Sequence, residues 1–326
     1  MFPIHRMRRL RSTAQLRNLL QQHRVSVHDL ICPIFVKHGI QGKQAIATLP
    51  GQFQFGLDTL AEEAKEIAAL GISAVLLFGV PEHKDTMGSD SYSDNGIIQQ
   101  AVKIVKDAVP ELLVITDVCF CEYTDHSHCG VLKESSHGWD VDNDETLVLL
   151  GKQAVSHAKA GADMIAPSGM MDGAVRFIRE ALDAAGFIDT PIMSYAAKFA
   201  SNLYGAFRDA AESGLSEGDR NSYQMQTANM NEAMREVSYD VEEGADILMV
   251  KPASLYLDVV HAVKQCFPDY PLAIYHVGTE YAMIKQGVAN GLFAEDKILL
   301  ETFTSFKRAG ADLLITYFAK DLARMV

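Results

Sequence analysis

Short apolar runs alternate with amphipathic stretches along most of this chain. The apolar runs are too short for helices and rich in β-branched residues, so they predict strands that are buried on both faces. Eight such strands are predicted, at residues 31–36, 74–80, 113–120, 163–168, 192–198, 247–252, 272–277 and 313–318. Helical patterns lie between them, for example over residues 57–70, 146–160, 174–185 and 232–243. Repeated alternation of strand and helix predicts an α/β fold, specifically a (β/α)8 TIM barrel.

A short repeat marks several junctions between a predicted helix and the next strand. Ala-Gly-Ala-Asp occurs at 160–163 and again at 309–312, Glu-Gly-Ala-Asp occurs at 243–246, and Leu-Gly-Ile-Ser occurs at 70–73. We expect each glycine to end a helix in the left-handed conformation. The alternative architecture is an open doubly wound sheet. No Gly-x-Gly-x-x-Gly follows an early strand, which removes the commonest reason to prefer that sheet.

Composition and charge narrow the range of partners. The chain has 326 residues, of which 48% are hydrophobic and 22% charged, as expected for a large globular core. Its net charge of −13, without a concentrated basic face, argues against nucleic acid and anionic membranes as partners. The basic N-terminal segment lacks the apolar stretch of a signal peptide. We expect a cytoplasmic protein in which residues 1–25 form an arm for subunit contacts and residues 26–326 form one catalytic domain.

Two lysines are predicted at the carboxyl ends of neighbouring strands. Lys198 ends the fifth strand and Lys251 ends the sixth, each within an apolar stretch. In a barrel these ends share one mouth. Burial and a nearby cation both disfavour the ammonium form, so a neutral amine becomes available to attack a ketone or aldehyde. A single lysine at such a position is more often a salt-bridge partner, but two favour Schiff-base chemistry.

Three cysteines cluster after the third predicted strand. Cys119 and Cys121 are two residues apart, as for side chains on one face of a strand, and the following loop allows Cys129 to fold back to them. Three thiolates make a tetrahedral zinc site with an open fourth position, which is typical of catalytic zinc. The alternatives are a closed structural site, with His126 or His128 as the fourth ligand, and ordinary reduced cysteines.

Two long polar connections interrupt the alternation, at residues 121–144 and 199–230. Both follow the carboxyl ends of strands, where barrel active sites form, and loops of this length are often lids. The second contains Arg208, Arg220 and Gln224. Arginines in a lid suit a substrate carboxylate through forked hydrogen bonds, although solvation at the surface is the default for either residue.

Several motifs, in this order, resemble the 5-aminolevulinic acid dehydratase family. They are Asp-Val-Cys-Phe-Cys at 117–121, Met-Met-Asp-Gly at 170–173, Ser-Tyr-Ala-Ala-Lys-Phe-Ala-Ser at 194–201, Tyr-Gly-Ala-Phe-Arg-Asp-Ala-Ala at 204–211, Gly-Asp-Arg-Asn-Ser-Tyr-Gln at 218–224 and Leu-Met-Val-Lys-Pro at 248–252. The resemblance extends from Arg8 to about Phe318. It implies homo-octamers and a porphobilinogen synthase, which condenses two 5-aminolevulinates with loss of two waters in an early step of tetrapyrrole (haem) biosynthesis.

The resemblance also implies residue roles. Lys251 forms the Schiff base with the substrate that supplies the propionate side, and Lys198 holds the substrate that supplies the acetate side. Asp117 is implied as a proton-transfer partner. The remaining positions implied by the resemblance are Arg208, Arg220 and Gln224 for the acetate-side carboxylate, Tyr317 for the propionate-side carboxylate, Cys119, Cys121 and Cys129 for catalytic zinc, and Glu236 for an activating magnesium. Tyr275, on the seventh strand, and Thr279 are further candidates for substrate binding. For Glu236 the alternative is a solvated helix carboxylate.

One departure from the family pattern affects the expected substrate site. Family members usually read Val-Ser-Gly-Glu-Tyr after the seventh strand, whereas residues 277–281 read Val-Gly-Thr-Glu-Tyr. Gly278 therefore stands in place of a serine that helps hold the propionate-side carboxylate. We expect weaker substrate binding unless Thr279 or backbone N–H groups substitute. Relatives also often have proline in place of Ala206.

Two other functions are alternatives to this one. A class I aldolase needs one nucleophilic lysine and, for sugar phosphates, a phosphate site. A catalytically inactive barrel that serves as a zinc-dependent scaffold is expected to lose at least one lysine. Both lysines remain here, together with a thiolate site and lid arginines, which favours the condensation of two keto acids.

Overall fold

The computed structural model describes residues 3–135, 138–215 and 218–326. The strands are β1 (Leu30–Lys37), β2 (Lys43–Ala45), β3 (Phe53–Phe55), β4 (Ala74–Val80), β5 (Leu113–Val118), β6 (Leu132–Ser135), β7 (Gly138–Val141), β8 (Met164–Pro167), β9 (Met193–Lys198), β10 (Ile247–Lys251), β11 (Leu272–His276) and β12 (Leu313–Thr316). The α-helices are α1 (Ala14–Leu19), α2 (Leu57–Ala69), α3 (Ile97–Ala108), α4 (Asn143–Ala160), α5 (Ala174–Ala184), α6 (Gly205–Ala210), α7 (Met230–Glu243), α8 (Leu257–Cys266), α9 (Gly278–Ala289), α10 (Glu295–Ala309) and α11 (Ala319–Ala323). Short 3-10 helices occur at Met7–Arg11, Val27–Asp29, Ser89–Tyr92, Asn202–Tyr204 and Ser254–Tyr256.

Eight parallel strands surround a common axis. They pair in the order β8, β5, β4, β1, β12, β11, β10, β9. A single parallel bridge between Ile165 and Ile192 joins the two ends of this series. All eight predicted strands are present in this nearly closed ring. The predicted (β/α)8 barrel is therefore confirmed, and the open doubly wound sheet is excluded.

The predicted third strand was too long. β5 ends at Val118, opposite Pro167, where its neighbour β8 also ends. Without a ladder partner the chain turns, and the N–H groups of Tyr123 and Thr124 both donate to the carbonyl oxygen of Phe120 at 2.9 Å. The thiols of the site therefore converge through this turn, and the expected alternation along a strand was wrong.

The two long connections carry secondary structure of their own. Residues 121–144 contain β6 and β7, which form an antiparallel hairpin. Residues 199–230 contain the short helix α6. Both insertions follow carboxyl ends of barrel strands, as predicted, so they lie at the mouth where TIM-barrel sites form.

The N-terminal segment has no core of its own. No described residue before Leu30 is buried, and α1 and the 3-10 helix Met7–Arg11 contain no buried side chain. Ile4, Met7, Leu10 and Leu19 are all exposed. Residues 1 and 2 of the predicted arm lie outside the described residues. The assignment of this segment to subunit contacts stays a prediction.

The glycine of each repeat ends a helix as expected. Gly161, Gly244 and Gly310 have φ of 105°, 101° and 126°, which an L side chain adopts only with strain. The aspartate that follows has a role that was not predicted. Asp163, Asp246 and Asp312 accept hydrogen bonds from the N–H groups of Val114, Ile192 and Leu272 at 2.7, 2.8 and 2.8 Å. Each copy therefore begins one strand and also fastens the start of the neighbouring strand.

Aromatic rings fill the barrel interior beneath the mouth. Phe35 stacks on Phe78 with ring centroids 5.4 Å apart and lies 6.1 Å from the ring of Tyr317, and Phe78 lies 6.3 Å from Tyr275. This packing excludes water from the floor of the site. Among the helices in the described part of the chain, none combines the length and apolar character needed to cross a membrane.

Asp246→Ala tests the repeat's aspartate. The change leaves the N–H of the buried Ile192 without its side-chain acceptor, so we expect the free energy of unfolding to fall by about 1 kcal/mol in urea denaturation. Asp246→Asn keeps an acceptor oxygen and should lose less. The control is Asp189→Ala, which removes an exposed carboxylate from a nearby loop. Equal stability of all three variants would contradict the assigned role.

Candidate active site

The two lysines lie side by side at the barrel mouth. Lys198 and Lys251 end β9 and β10 and are directly paired in register. This alignment depends on a register shift between Leu248 and Val250, because unshifted pairing would place Lys251 opposite Ala197. The two side chains are only 6% and 3% exposed, so both amines are inside the protein.

Aromatic side chains surround the Lys251 amine. Its Nζ lies 4.0 Å from the ring centroid of Tyr275, 4.9 Å from that of Phe207 and 5.0 Å from that of Tyr195. Burial, followed by the charge of Lys198, lowers the pKa of Lys251 to about 7, although nearby Asp117 acts in the opposite direction. A large fraction of Lys251 is therefore a neutral amine at neutral pH, which is the form that attacks a carbonyl.

The second lysine is held by polar groups. The ammonium of Lys198 donates to the carbonyl oxygen of Ser168 at 2.5 Å, and the hydroxyl of Ser168 donates to Asp117 at 3.0 Å. Burial raises the pKa of Asp117 to about 6, although the Lys198 and Lys251 cations oppose the shift. Asp117 can therefore exchange a proton near neutral pH, and Ser168 contacts both Asp117 and Lys198, through its hydroxyl and its carbonyl oxygen respectively.

The three predicted cysteines form one buried cluster. The sulfur atoms of Cys119, Cys121 and Cys129 all lie within 4.8 Å of one another. The pKa of Cys129 is well below its usual value, because the other two thiols donate to it and the Arg220 and Lys198 cations lie near. Three convergent soft ligands, one of them readily ionised, suit a metal such as zinc.

Neither histidine of the loop joins this cluster. His126 contacts the carbonyl oxygen of Thr86 through Nε2 at 3.4 Å, and His128 contacts the hydroxyl of Tyr223 through Nδ1 at 3.2 Å. Within the described residues, the ligand groups that converge here contain no histidine. The geometry therefore favours three thiols with an open fourth position over a closed site.

One carboxyl group of the site was missed from the sequence. Glu122 is 2% exposed, and its Oε2 lies 3.3 Å from the sulfur of Cys121. It also lies within 4.8 Å of Asp117 and Cys119. Burial, followed by the charge of Cys121, raises the pKa of Glu122 well above its usual value. No sequence signal marked it, since a glutamate in a polar loop is usually solvated.

The second connection brings unpaired donors to the site. Arg220 is buried and donates to the carbonyl oxygens of Ser127 and Ser213 at 2.8 and 3.2 Å. The buried side-chain donors that lack a hydrogen-bond partner within the described residues include Nε of Arg208, Nε of Arg220 and Nε2 of Gln224. Buried donors without acceptors are costly, so these three suit an anionic ligand group such as a carboxylate.

The residues implied for the propionate side are only partly brought together. The hydroxyls of Tyr275 and Tyr317 lie 3.2 Å apart and are buried. Thr279 is half-buried in the first turn of α9, and its hydroxyl makes no hydrogen bond within the described residues. A Cβ on Gly278 would lie 3.0 Å from Leu49 Cδ2 and 3.1 Å from Ala206 Cβ. Neighbouring side chains therefore occupy much of the space that a serine would need.

Glu236 is not part of the lysine pair or the thiol cluster. It is half-buried on α7, in a cleft that is also lined by Asp172 and Glu232. Gln224 of the second connection lines the same cleft. Burial, followed by the charges of Asp172 and Glu232, raises its pKa. Clustered carboxylates in a cleft favour a hard cation, which would relieve their mutual repulsion.

Comparison with known proteins agrees with this geometry. A family model described as delta-aminolevulinic acid dehydratase matches residues 4–325. The delta-aminolevulinic acid dehydratase of Synechococcus elongatus is 53% identical to this chain over 324 residues, and the match covers 99% of both chains. The delta-aminolevulinic acid dehydratase of Bacillus subtilis is 51% identical over 320 residues, and the match covers 98% of this chain and 97% of the relative. The solved delta-aminolevulinic acid dehydratase (porphobilinogen synthase) of Toxoplasma gondii, in complex with its reaction product porphobilinogen, has a TM-score of 0.95 and 41% identity, covering 99% of this chain and 92% of that one. This chain therefore belongs to the delta-aminolevulinic acid dehydratase family and is a lyase that makes porphobilinogen.

Proposed function

We propose that Lys251 and Lys198 each form a Schiff base with one of the two 5-aminolevulinate molecules that condense to porphobilinogen with loss of two waters. The observation that carries this proposal is the direct pairing of two buried lysines on adjacent strands. Two substrates with one ketone each match two amines that share one mouth. Lys251 takes the substrate that supplies the propionate side, and Lys198 takes the one that supplies the acetate side.

Covalent attachment of each substrate requires proton transfer. The neutral amine of Lys251 attacks the ketone carbon, a carbon–nitrogen bond forms, and the carbonyl oxygen leaves as water after it gains two protons. Asp117 is the proton-transfer group in this proposal, because its pKa of about 6 allows it to donate and accept near neutral pH. Ser168 contacts both Asp117 and Lys198, since its hydroxyl donates to Asp117 and its carbonyl oxygen accepts from Lys198.

Two separate sets of groups hold the substrate carboxylates. Arg208, Arg220 and Gln224 bind the acetate-side carboxylate through their unpaired donors. The hydroxyls of Tyr275 and Tyr317 serve the propionate side, with Thr279 as a further donor once substrate is present. Because Gly278 offers only its backbone N–H there, we expect this side to bind its carboxylate with fewer side-chain donors than relatives that have serine.

Two metals complete the proposal. Cys119, Cys121 and Cys129 hold a zinc ion that, when bound, polarises or orients the second substrate. Glu236, in its acidic cleft, would hold an activating magnesium as an oxygen ligand. The ordinary preference of zinc for thiolates and of magnesium for oxygen ligands supports this division.

Assembly and location follow the same pattern. We propose a homo-octamer in which residues 1–25 pack on a neighbouring subunit, supported by the exposed Ile4, Met7, Leu10 and Leu19 on a segment without a core. We place the enzyme in the cytoplasm, where thiols stay reduced, because all five cysteines are free and three of them form the metal cluster.

Lys251→Ala should abolish porphobilinogen formation, because no other group in the site replaces the depressed-pKa amine. Borohydride trapping of 5-aminolevulinate on the protein, measured by mass spectrometry, should lose its Lys251 adduct. The control is Lys65→Ala, which removes an exposed helix lysine. If Lys251→Ala still turns over and traps substrate at another site, Lys251 is not the main nucleophile.

The pH dependence of trapping tests the low pKa of Lys251. Only the neutral amine reacts, so the trapping rate with cyanoborohydride should rise with pH, with its midpoint at about pH 7, and at pH 6 it should be about one tenth of the plateau. Lys198→Met removes a cation that disfavours the Lys251 ammonium, so the midpoint should move to higher pH. A midpoint near that of an exposed lysine in the unmodified protein would contradict the desolvated site.

Separate metal add-back distinguishes the two metal proposals. After chelation, zinc should restore pyrrole formation in the unmodified protein, and magnesium should then increase it further. Cys129→Ala should lower both zinc content and activity, because only two thiols remain. Glu236→Gln should keep its zinc content and lose only the magnesium response. Unchanged zinc content in Cys129→Ala would show that the cysteine assignment is wrong.

A further inference from the structure

The end of the lid helix α6 has an unusual backbone. Glu212 follows the last turn of α6 and has a φ of 51°, in the left-handed region that favours glycine. The N–H of Ser213 donates to the carbonyl oxygen of Arg208 at 2.9 Å, which closes the helix in the manner usually reserved for glycine. A side chain that is kept in such a conformation is normally held there by its surroundings.

Three elements of the barrel mouth hold Glu212 in place. Its carboxylate forms an ion pair with Lys37, at the end of β1, and accepts from Nε2 of Gln54, in β3, at 3.2 Å. Its carbonyl oxygen accepts from the ammonium of Lys84, in the loop after β4, at 2.5 Å. Gln54 also donates to the carbonyl oxygen of Ala210 at 2.8 Å. Contacts from β1, β3 and the loop after β4 therefore converge on the exit of α6.

The helix that these contacts hold carries two groups of the site. Phe207 lies over the amine of Lys251, and Arg208 has an unpaired Nε that suits a carboxylate. Phe207 and Arg208 precede Glu212 by five and four residues, so both lie slightly more than one helical turn before it. A shift of α6 away from the mouth would move both groups together and admit water to the lysine pair.

We propose that Glu212 is a positioning residue that latches α6 over the active site and so holds Arg208 in place for the substrate carboxylate. This inference rests on the carboxylate-binding role proposed for Arg208. Glu212 itself touches no reacting atom. The side chains of Lys37 and Glu212 are 21% and 42% exposed, so water and salt reach the ion pair and screen it.

The test combines variants of the latch with two readouts. Glu212→Gln removes the ion pair. Glu212→Gly removes the whole side chain, and glycine adopts the positive φ at this position without strain. We expect KM for 5-aminolevulinate to rise about three- to tenfold in both, with kcat nearly unchanged, as for loss of a partly exposed ion pair and one hydrogen bond. Amide hydrogen exchange in α6 without substrate should become faster. The matched control is Glu82→Gln, which breaks a different exposed pair with His38 at the same rim.

Salt and a second substitution separate a latch from a purely structural role. In the unmodified protein, added sodium chloride should speed α6 exchange, and in Glu212→Gln it should have little further effect. Lys37→Met should resemble Glu212→Gln, and the double variant should be no worse than either single variant. If Glu212→Gly matches the unmodified protein in KM and α6 exchange, only the backbone conformation matters and the latch is overturned.

Arg208→Lys, measured alongside, keeps failure of the latch apart from failure of the proposed carboxylate site. A rise in KM for Arg208→Lys, with no effect of Glu212 variants on KM or exchange, overturns the latch alone. If Arg208→Lys leaves KM unchanged, the carboxylate role of Arg208 fails, and the latch on α6 is then judged by exchange and its salt dependence. Unaltered exchange in that case overturns the latch as well.

Discussion

Two lysine amines end side by side in a part of the barrel that excludes water, and the free energy of charging both there is unfavourable. The aromatic rings below and around Lys251 supply little compensation beyond cation–π contact, and the charge of Lys198 further disfavours the Lys251 ammonium. The structure therefore keeps a reactive neutral amine near neutral pH. The other residues of the mouth either exclude water from the lysines or supply polar groups that a substrate can bind.

The polar groups of the mouth are left incompletely paired. Buried donors on Arg208, Arg220 and Gln224 lack partners, and Asp117 and Glu122 lie close together with raised pKa values. Such groups destabilise the protein in the absence of ligand and bind a matching ligand strongly. A site built in this way gains most from a substrate that brings a carboxylate and a carbonyl, as 5-aminolevulinate does.

The opposite end of the barrel serves stability. The aspartates of the Gly-Ala-Asp repeats fasten the starts of neighbouring strands, with Asp163 and Asp312 also paired to Lys106 and Lys264. Polar side chains at the amino ends of the strands are thus satisfied within the fold, whereas those at the carboxyl ends face a ligand. This division allows the connections at the carboxyl ends of the strands to carry incompletely paired groups without loss of the barrel.

Periodicity and composition were enough to predict the barrel and its eight strands, because strands that are buried on both faces must be apolar. They also located Lys198, Lys251 and the three cysteines, because reactive polar residues are easily recognised within or next to apolar strands. Only the tertiary structure decided how these residues meet. The lysines pair through a register shift between β10 and β9, and Cys119 and Cys121 come together in a turn that begins where β5 loses its neighbouring strand. The burial of Glu122, and the contacts of Glu212 with Lys37 and Lys84, depend on elements that are far apart in the chain. Such contacts depend on how the elements pack together. The local pattern of one segment therefore does not predict which residues of another segment it will contact.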